Sequence, residues 1–300
     1  MTLIKKPNEL STPSTVKVMV YGSAGAGKTT LALSAPKPIL FDFDGGVHRV
    51  NYAHQTDIIQ PSNFAEALQA VSNDIVPYET IVIDTVGKMM DMVILHVYGG
   101  RLPKIQDWGT INQAFASFNR LISNMGKNVI YVAHRDTHKD GDDTVFVPAL
   151  REKSYTAIVT ELDLLGYVEM RGNERTITFN PTSRSEGKNT CNLPALMAIP
   201  TVVDNKGAGL ANTFFQAQII APYISNLRER SEQNKAYEAL MEELKENIAL
   251  ITDAVSANDF VSRIDAFNHI GNSKAVASTL LARKAAELKL TFNKTSKLYE

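Results

Sequence analysis

The sequence has one cysteine, Cys191, in 300 residues, so no disulfide can form within it. That usage fits a reducing, cytoplasmic setting. Charge of one sign is also missing: 31 Lys and Arg face 32 Asp and Glu, for a net −1. A balance this even excludes a global field that draws the chain to nucleic acid or membrane, and any such contact needs a local patch. No apolar run approaches the roughly 18 residues that cross a bilayer, so no membrane partner is expected. The opening "MTLIKKPNELSTPST" has lysines but lacks the apolar stretch of a signal peptide. Internal repeats and low-complexity tracts are absent. What is present, 44% hydrophobic and 21% charged residues, suits a soluble globular protein of one large or two ordinary domains.

Over the first two thirds, short apolar runs alternate with helical patterns. This predicts an α/β fold, a mainly parallel sheet flanked by helices. Residues 16–21, 39–43, 80–83 and 128–133 read as strands. Phe64, Ala67, Leu68, Val71 and Ile75 fall at helical spacing, as do Ile111, Phe115, Phe118, Ile122 and Met125. Residues 164–170 and 175–179, joined by "RGN", predict an antiparallel hairpin at one sheet edge. The expected organisation is a tail over 1–15, an α/β core over 16–193, an irregular linker over 194–225 and an α-helical region over 226–300. In that last region Asn258 and Asn272 are the expected N-caps, and Gly271 a helix stop.

Directly after the first strand stands "GSAGAGKTT": Gly22, Ser23, Ala24, Gly25, Ala26, Gly27, Lys28, Thr29 and Thr30. Gly22, Gly27, Lys28 and Thr29 satisfy the phosphate-loop pattern G-x-x-x-x-G-K-[ST], with a strand before it and a helix after. Glycines let successive backbone N–H groups curl round a phosphate, and a helix N-terminus adds partial positive charge. Lys28 is placed to reach the terminal phosphates of ATP, and the Thr29 hydroxyl to join the shell of Mg2+. "YETIVIDT" ends a strand on Asp84, where a second magnesium anchor belongs.

"FDFDGG" ends the strand after the loop's helix on Asp42 and Asp44, which alternation puts on one face. A carboxylate at that edge of the sheet can take a proton from the water that attacks a γ-phosphate. Three other signatures are missing. "DNKGAG" lacks the acid of the guanine-binding N-K-x-D element, no L-S-G-G-Q run occurs, and Thr85 rather than glutamate follows Asp84. The activating acid must therefore come from elsewhere, or hydrolysis is very slow.

The ordered set "VYGSAGAGKTTLALSAPKPILFDFDGG", "YETIVIDT", "DWGTINQAF" and "NVIYVAH", over roughly residues 16–190, resembles the small phage-encoded RecA-like ATPases of single-strand annealing and recombination. The resemblance implies a RecA-like P-loop NTPase core, ATP with Mg2+, self-association into a homo-oligomer, and work on single-stranded DNA. It implies that Asp44 is the catalytic acid, with aspartate where the family has glutamate, and that His134 senses the γ-phosphate. It also places the DNA-contacting loop at residues 135–150, although residues 135–153 carry four basic and five acidic side chains. Arg184 and Lys188 match fingers that reach a neighbour's nucleotide in an oligomer.

Beyond residue 226 the first helix is acidic, whereas residues 271–300 carry Lys274, Arg283, Lys284, Lys289, Lys294 and Lys297 against Glu287 and Glu300, with Phe292 and Tyr299 interleaved. Such a tail suits single strands or a phage or host recombination or replication partner, and equally a charged helix face. Two other readings stay open: a small-molecule phosphotransferase using the same loop, with "HRDTHKDGDD" as its lid, and a nucleotide-gated adaptor with little turnover.

Overall fold

The structure, a computed structural model, describes residues 4–5, 9–101, 103–141 and 143–300. The expected tail over 1–15 and the tip of the 135–150 segment therefore lie partly outside the described residues. The chain divides into two compact units, one formed by Pro13–Ser225 and one containing Asn226–Glu300.

In the first unit, the strands are β1 (Lys17–Gly22), β2 (Pro38–Asp42), β3 (Ile58–Ile59), β4 (Thr80–Asp84), β5 (Asn128–Asp140), β6 (Asp143–Pro148), β7 (Leu164–Arg171), β8 (Glu174–Thr178), β9 (Lys188–Asn189) and β10 (Met197–Ile199). They form one sheet in the order β10-β8-β7-β1-β5-β4-β2-β3, with β6 added to β5 and β9 to β7. From β3 to β7 every pairing along this order is parallel, and β8 and β10 extend the edge antiparallel. The fold is thus α/β and RecA-like, with the strand carrying the phosphate loop in the middle of the sheet. Its strands read as almost unbroken apolar runs because both faces are covered: β1 runs Lys-Val-Met-Val-Tyr-Gly, and all but its first residue are buried.

One face of the sheet packs against helices α2 (Phe64–Asn73), α3 (Val86–Tyr98), α4 (Trp108–Ser123) and α5 (Glu152–Val159). Met19, Tyr21, Phe41, Ile81 and Tyr131 meet Phe64, Val71, Met89, Phe115 and Phe118 in a single core. Each such side chain contributes about 1.5–3 kcal/mol on burial. Asn63 caps α2 by accepting from the Glu66 amide at 3.1 Å, and Thr85 caps α3 by accepting from Lys88. α3 is an addition to the sequence reading. Its buried residues Val86, Met89, Met90 and Val93 do fall at i, i+3, i+4 and i+7, but apolar Met92, Ile94 and Leu95 outside that stripe blur the pattern in the sequence.

Residues 194–225, expected as an irregular linker, contain β10 and a π-helical stretch, Phe215–Ile220, with Phe215 and Ile219 fully buried. This segment is tied to the loop helix α1 (Lys28–Ala32) and the turn after it. The Asn212 amide donates to the Thr30 carbonyl at 3.1 Å, and the Phe215 amide to Ser34 Oγ at 2.9 Å.

The second unit holds most of α6 (Ala221–Ala249), then α7 (Ala254–Arg263), α8 (Ser273–Glu287) and a terminal hairpin of β11 (Phe292–Asn293) and β12 (Leu298–Tyr299). Leu244, Ile251, Phe260, Ala277 and Leu281 form its own core. Asn258, expected as an N-cap, lies inside α7. The true cap is Asp253, in a reciprocal box with Ser256. Asn258 instead holds β12, accepting from the Tyr299 amide at 2.7 Å and donating to its carbonyl at 3.0 Å. Asn272 does precede α8, but its side-chain oxygen accepts from the Tyr237 hydroxyl rather than from a helix amide. No helix among the described residues is long and apolar enough to cross a membrane.

Candidate nucleotide site

The loop from Gly22 to Thr30 is shaped by three glycines, each for a local reason. A Cβ on Gly22 would lie 2.3 Å from the Val168 carbonyl oxygen of β7, so the strand can enter the loop only as glycine. Gly25 and Gly27 sit at φ 73° and 78°, the left-handed region that other residues avoid. Successive amides of such a turn make an anion-binding concavity. The helix that follows, α1, is only five residues long. The cradle is therefore the loop itself rather than the dipole of a long helix.

Lys28 is 6% exposed and folds back over the loop, its Nζ donating to Ser23 O at 2.8 Å and Gly22 O at 3.1 Å. Burial lowers its pKa, opposed by the carboxylates of Asp84 and Asp44. Both acids are therefore within electrostatic reach of the ammonium.

Strand register brings the remaining groups to the same edge. Gly22 lies opposite His134, and Asp42 opposite Asp84. The Thr29 hydroxyl donates to Asp84 Oδ2 at 2.5 Å. Asp84 is 7% exposed, and burial raises its pKa, which the Thr29 hydroxyl and Lys28 oppose and Asp42 and Asp44 reinforce. A hydroxyl and a carboxylate are hard oxygen donors, and Mg2+ takes few protein ligands, leaving the rest of its octahedron to phosphates and water. Loop, lysine and donor pair together fit a magnesium nucleotide.

The two aspartates of "FDFDGG" take different tasks, which corrects the expectation that they share a face. β2 ends at Asp42, so strand alternation does not extend to Asp44. Asp42 is consumed by the turn: it accepts from the amides of Gly46 at 3.1 Å and Val47 at 3.2 Å, and from Gln60 Nε2 at 2.9 Å. The main chain then hooks onto β4, with the amides of Phe43 and Asp44 both donating to the Asp84 carbonyl, at 2.7 and 3.2 Å. This anchors Asp44 beside the Thr29–Asp84 pair. Among the described residues its carboxylate has one ion-pair partner, Arg49 Nη1 at 4.0 Å, and its charge is felt at Lys28, Asp84 and His134.

His134 is exposed at this edge. Partial desolvation and the nearby Lys28 lower its pKa against the opposing charge of Asp44, which favours the neutral ring. Beyond it the expected loop over 135–150 is instead a β-hairpin, because β5 continues to Asp140 and pairs with β6. Its base forms an aromatic and cationic cluster. Phe146 stacks on Tyr167 at 5.4 Å and 19°, Arg135 Cζ lies 4.4 Å over Phe146, and Arg184 Cζ lies 5.9 Å from the same ring. Arg135 also donates to the Tyr167 hydroxyl at 3.0 Å. These residues and Ser23, Ala24, Gly25 and Ala26 of the loop line one cavity of about 730 Å³.

Of the two finger candidates, Arg184 thus stands at a cavity beside its own chain's loop. Lys188 does not: its ammonium donates to the Val159 and Thr160 carbonyls at 3.2 and 3.4 Å, at the end of α5. Trp108 opens α4 half-buried, with Arg151 4.2 Å over its ring. Sequence reasoning did not find the Phe146–Tyr167 stack or Arg175, a β8 residue against the loop. No spacing signal marks either, because strand pairing alone brings them there.

A phosphate loop closed by lysine, with its Thr29–Asp84 pair at the edge of a RecA-like sheet, defines a P-loop ATPase. The profile of the AAA domain family AAA_24 matches residues 14–191, more than half of the chain, and the chain belongs to that family. No curated protein matches it. Among solved structures, the KaiC-like protein PH0186 of the hyperthermophilic archaeon Pyrococcus horikoshii OT3 is similar at 11% identity and a TM-score of 0.38, over 62% of this chain and 89% of that one. The fold assignment rests on strand order and loop geometry, not on that neighbour.

Proposed function

We propose that the chain hydrolyses ATP with Mg2+ and couples turnover to single-stranded DNA in phage-type recombination or strand annealing. The observation that carries the reading is the convergence of Lys28, Thr29, Asp84 and Asp44 on one loop from three strands. Bound magnesium nucleotide supplies the phosphoanhydride and the shielding of its charge. The loop amides hold the phosphates, and Lys28 exchanges its two carbonyl partners for phosphate oxygens. Thr29 and Asp84 orient the ion. Asp44 takes the proton of the attacking water, a role that needs a carboxylate free of the turn, as Asp44 is and Asp42 is not. His134, neutral, donates a hydrogen bond that registers the terminal phosphate.

The cavity beside the loop supports the DNA reading. Arg135 and Arg184 around a stacked Phe146–Tyr167 pair offer the cationic and aromatic surfaces that single strands use. In a homo-oligomer Arg184 is the finger candidate toward a neighbouring copy, and the helices beyond 226 are the surface for a recombination or replication partner. The test is ATP hydrolysis with and without a single-stranded oligonucleotide, on wild type and Lys28→Ala. Turnover stimulated by DNA and lost in the variant supports the proposal. Phosphate transfer to a small acceptor without DNA stimulation, or tight binding without turnover, overturns it in favour of a phosphotransferase or an adaptor.

A further inference from the structure

We infer that Arg175 is a phosphate-binding residue acting on the nucleotide of its own subunit, an assignment that rests on the ATP reading of the loop. Arg175 lies on β8, paired with Met170 of β7 on one side and Ile199 of β10 on the other. The sheet therefore holds its backbone from both edges. Its guanidinium is packed on the loop: a Cβ placed on Gly27 would come within 2.9 Å of Cζ and Nη1, and 3.2 Å of Nε. Gly27 is thus glycine for two reasons, its left-handed φ and the approach of this arginine.

Arg175 Nε is buried without a hydrogen-bond partner, and no carboxylate is paired with this guanidinium among the described residues. The nearest acid on its strand, Glu174, is exposed and sits opposite Arg171, which is itself paired to Glu169. Arg175 as a whole is half-buried, with its Nε shut off from solvent; a guanidinium has five donors and cannot shed its proton, so an unpaired one held against the loop suits completion by an anion. The adjoining residue of the loop is Lys28, itself a buried cation. Arg175 against Gly27 and Lys28 next to it put two cations on one glycine turn, a setting suited to a multiply charged anion. Lysine acts there as a point charge, and arginine as a planar fork that takes two oxygens of a phosphate chain. Unlike a finger from a neighbour, Arg175 already touches its own loop and needs no second copy.

The test compares binding of Mg2+·ATP to wild type, Arg175→Lys and Arg175→Gln by calorimetry, over a range of protein concentrations, alongside urea unfolding of the nucleotide-free proteins. Loss of charge-assisted hydrogen bonds predicts affinity weakened about ten- to hundredfold in Arg175→Gln, with part of it restored in Arg175→Lys. The weakening is the same at every protein concentration. The urea midpoint of the free protein does not fall, because the guanidinium has no partner to lose. Wild-type affinity in Arg175→Gln overturns the assignment alone, as does a loss of affinity that tracks a loss of stability. No uptake by wild type overturns it together with the nucleotide reading.

Discussion

Replacing Asp44 with asparagine separates chemistry from binding and folding, because the structure gives that carboxylate few other duties. Its amide is bonded to the Asp84 carbonyl, a main-chain contact that the substitution leaves intact. Among the described residues its one ion-pair partner, Arg49, is 4.0 Å away with a side chain 69% exposed. Such a pair contributes at most about 1 kcal/mol, so the fold loses no more than that. The phosphates are held by the loop and Lys28, so affinity for Mg2+·ATP stays within a few fold of wild type. A general base contributes roughly 10²–10⁴-fold, or about 3–5 kcal/mol of barrier. Steady-state hydrolysis at saturating Mg2+·ATP is therefore expected to fall by at least about a hundredfold. Phosphate release measured alongside calorimetric affinity and a thermal melt gives all three quantities. Hydrolysis at the wild-type rate refutes the assignment of the base to Asp44, whatever happens to stability.

Lys28→Ala is expected to weaken Mg2+·ATP binding by about 30-fold or more while leaving AMP binding little changed, since the loss is of charge-assisted bonds to terminal phosphates. Competitive titration of the two nucleotides checks it. Gly22→Ala drives a Cβ to 2.3 Å from the Val168 carbonyl, and the β1–β7 pair must part to admit it. The expected cost is about 3 kcal/mol or more, read from the urea midpoint. Asp84 gives a pH prediction. Its folded pKa is raised, chiefly by burial, so its contribution to the stability of the free protein is full below the ordinary value of about 3.9 and is lost as pH rises through the raised one. Magnesium needs the ionised carboxylate, so magnesium-dependent affinity falls on acidification already above the range of an ordinary aspartate. Asp84→Asn lacks that component, and its free form at neutral pH is at least as stable as wild type. A pH series on both proteins, by melt and by calorimetry, measures the two effects.

The parts of this architecture legible in the sequence are those where local chemistry dictates geometry. β1, β2, β4 and the β7–β8 hairpin are apolar runs bounded by turn residues, and the loop is named by residues whose backbone demands are narrow. β5 was legible only to Ala133, because "HRDTHKD" is polar and its strand conformation comes from pairing with β6 rather than from burial. Asn258 looked like a cap by composition, but Asp253 with Ser256 makes the reciprocal bond and starts the helix five residues earlier. In the site, Lys28, Thr29 and Asp84 followed from motif and strand end. The division of labour between Asp42 and Asp44 did not, since it depends on the amides of Gly46 and Val47 turning back onto Asp42. Arg175 and the Phe146–Tyr167 stack arise from long-range pairing, which leaves no periodic trace in one chain.

Calorimetric titration of the wild-type chain with ATP, in the presence and absence of Mg2+, tests the central claim most directly. The account predicts saturable uptake at one site per chain, tighter with the ion. A thermal midpoint that climbs with ligand should accompany it, binding at a hundred times Kd adding about 2.7 kcal/mol to the fold. An absence of both heat and thermal shift under either condition contradicts it.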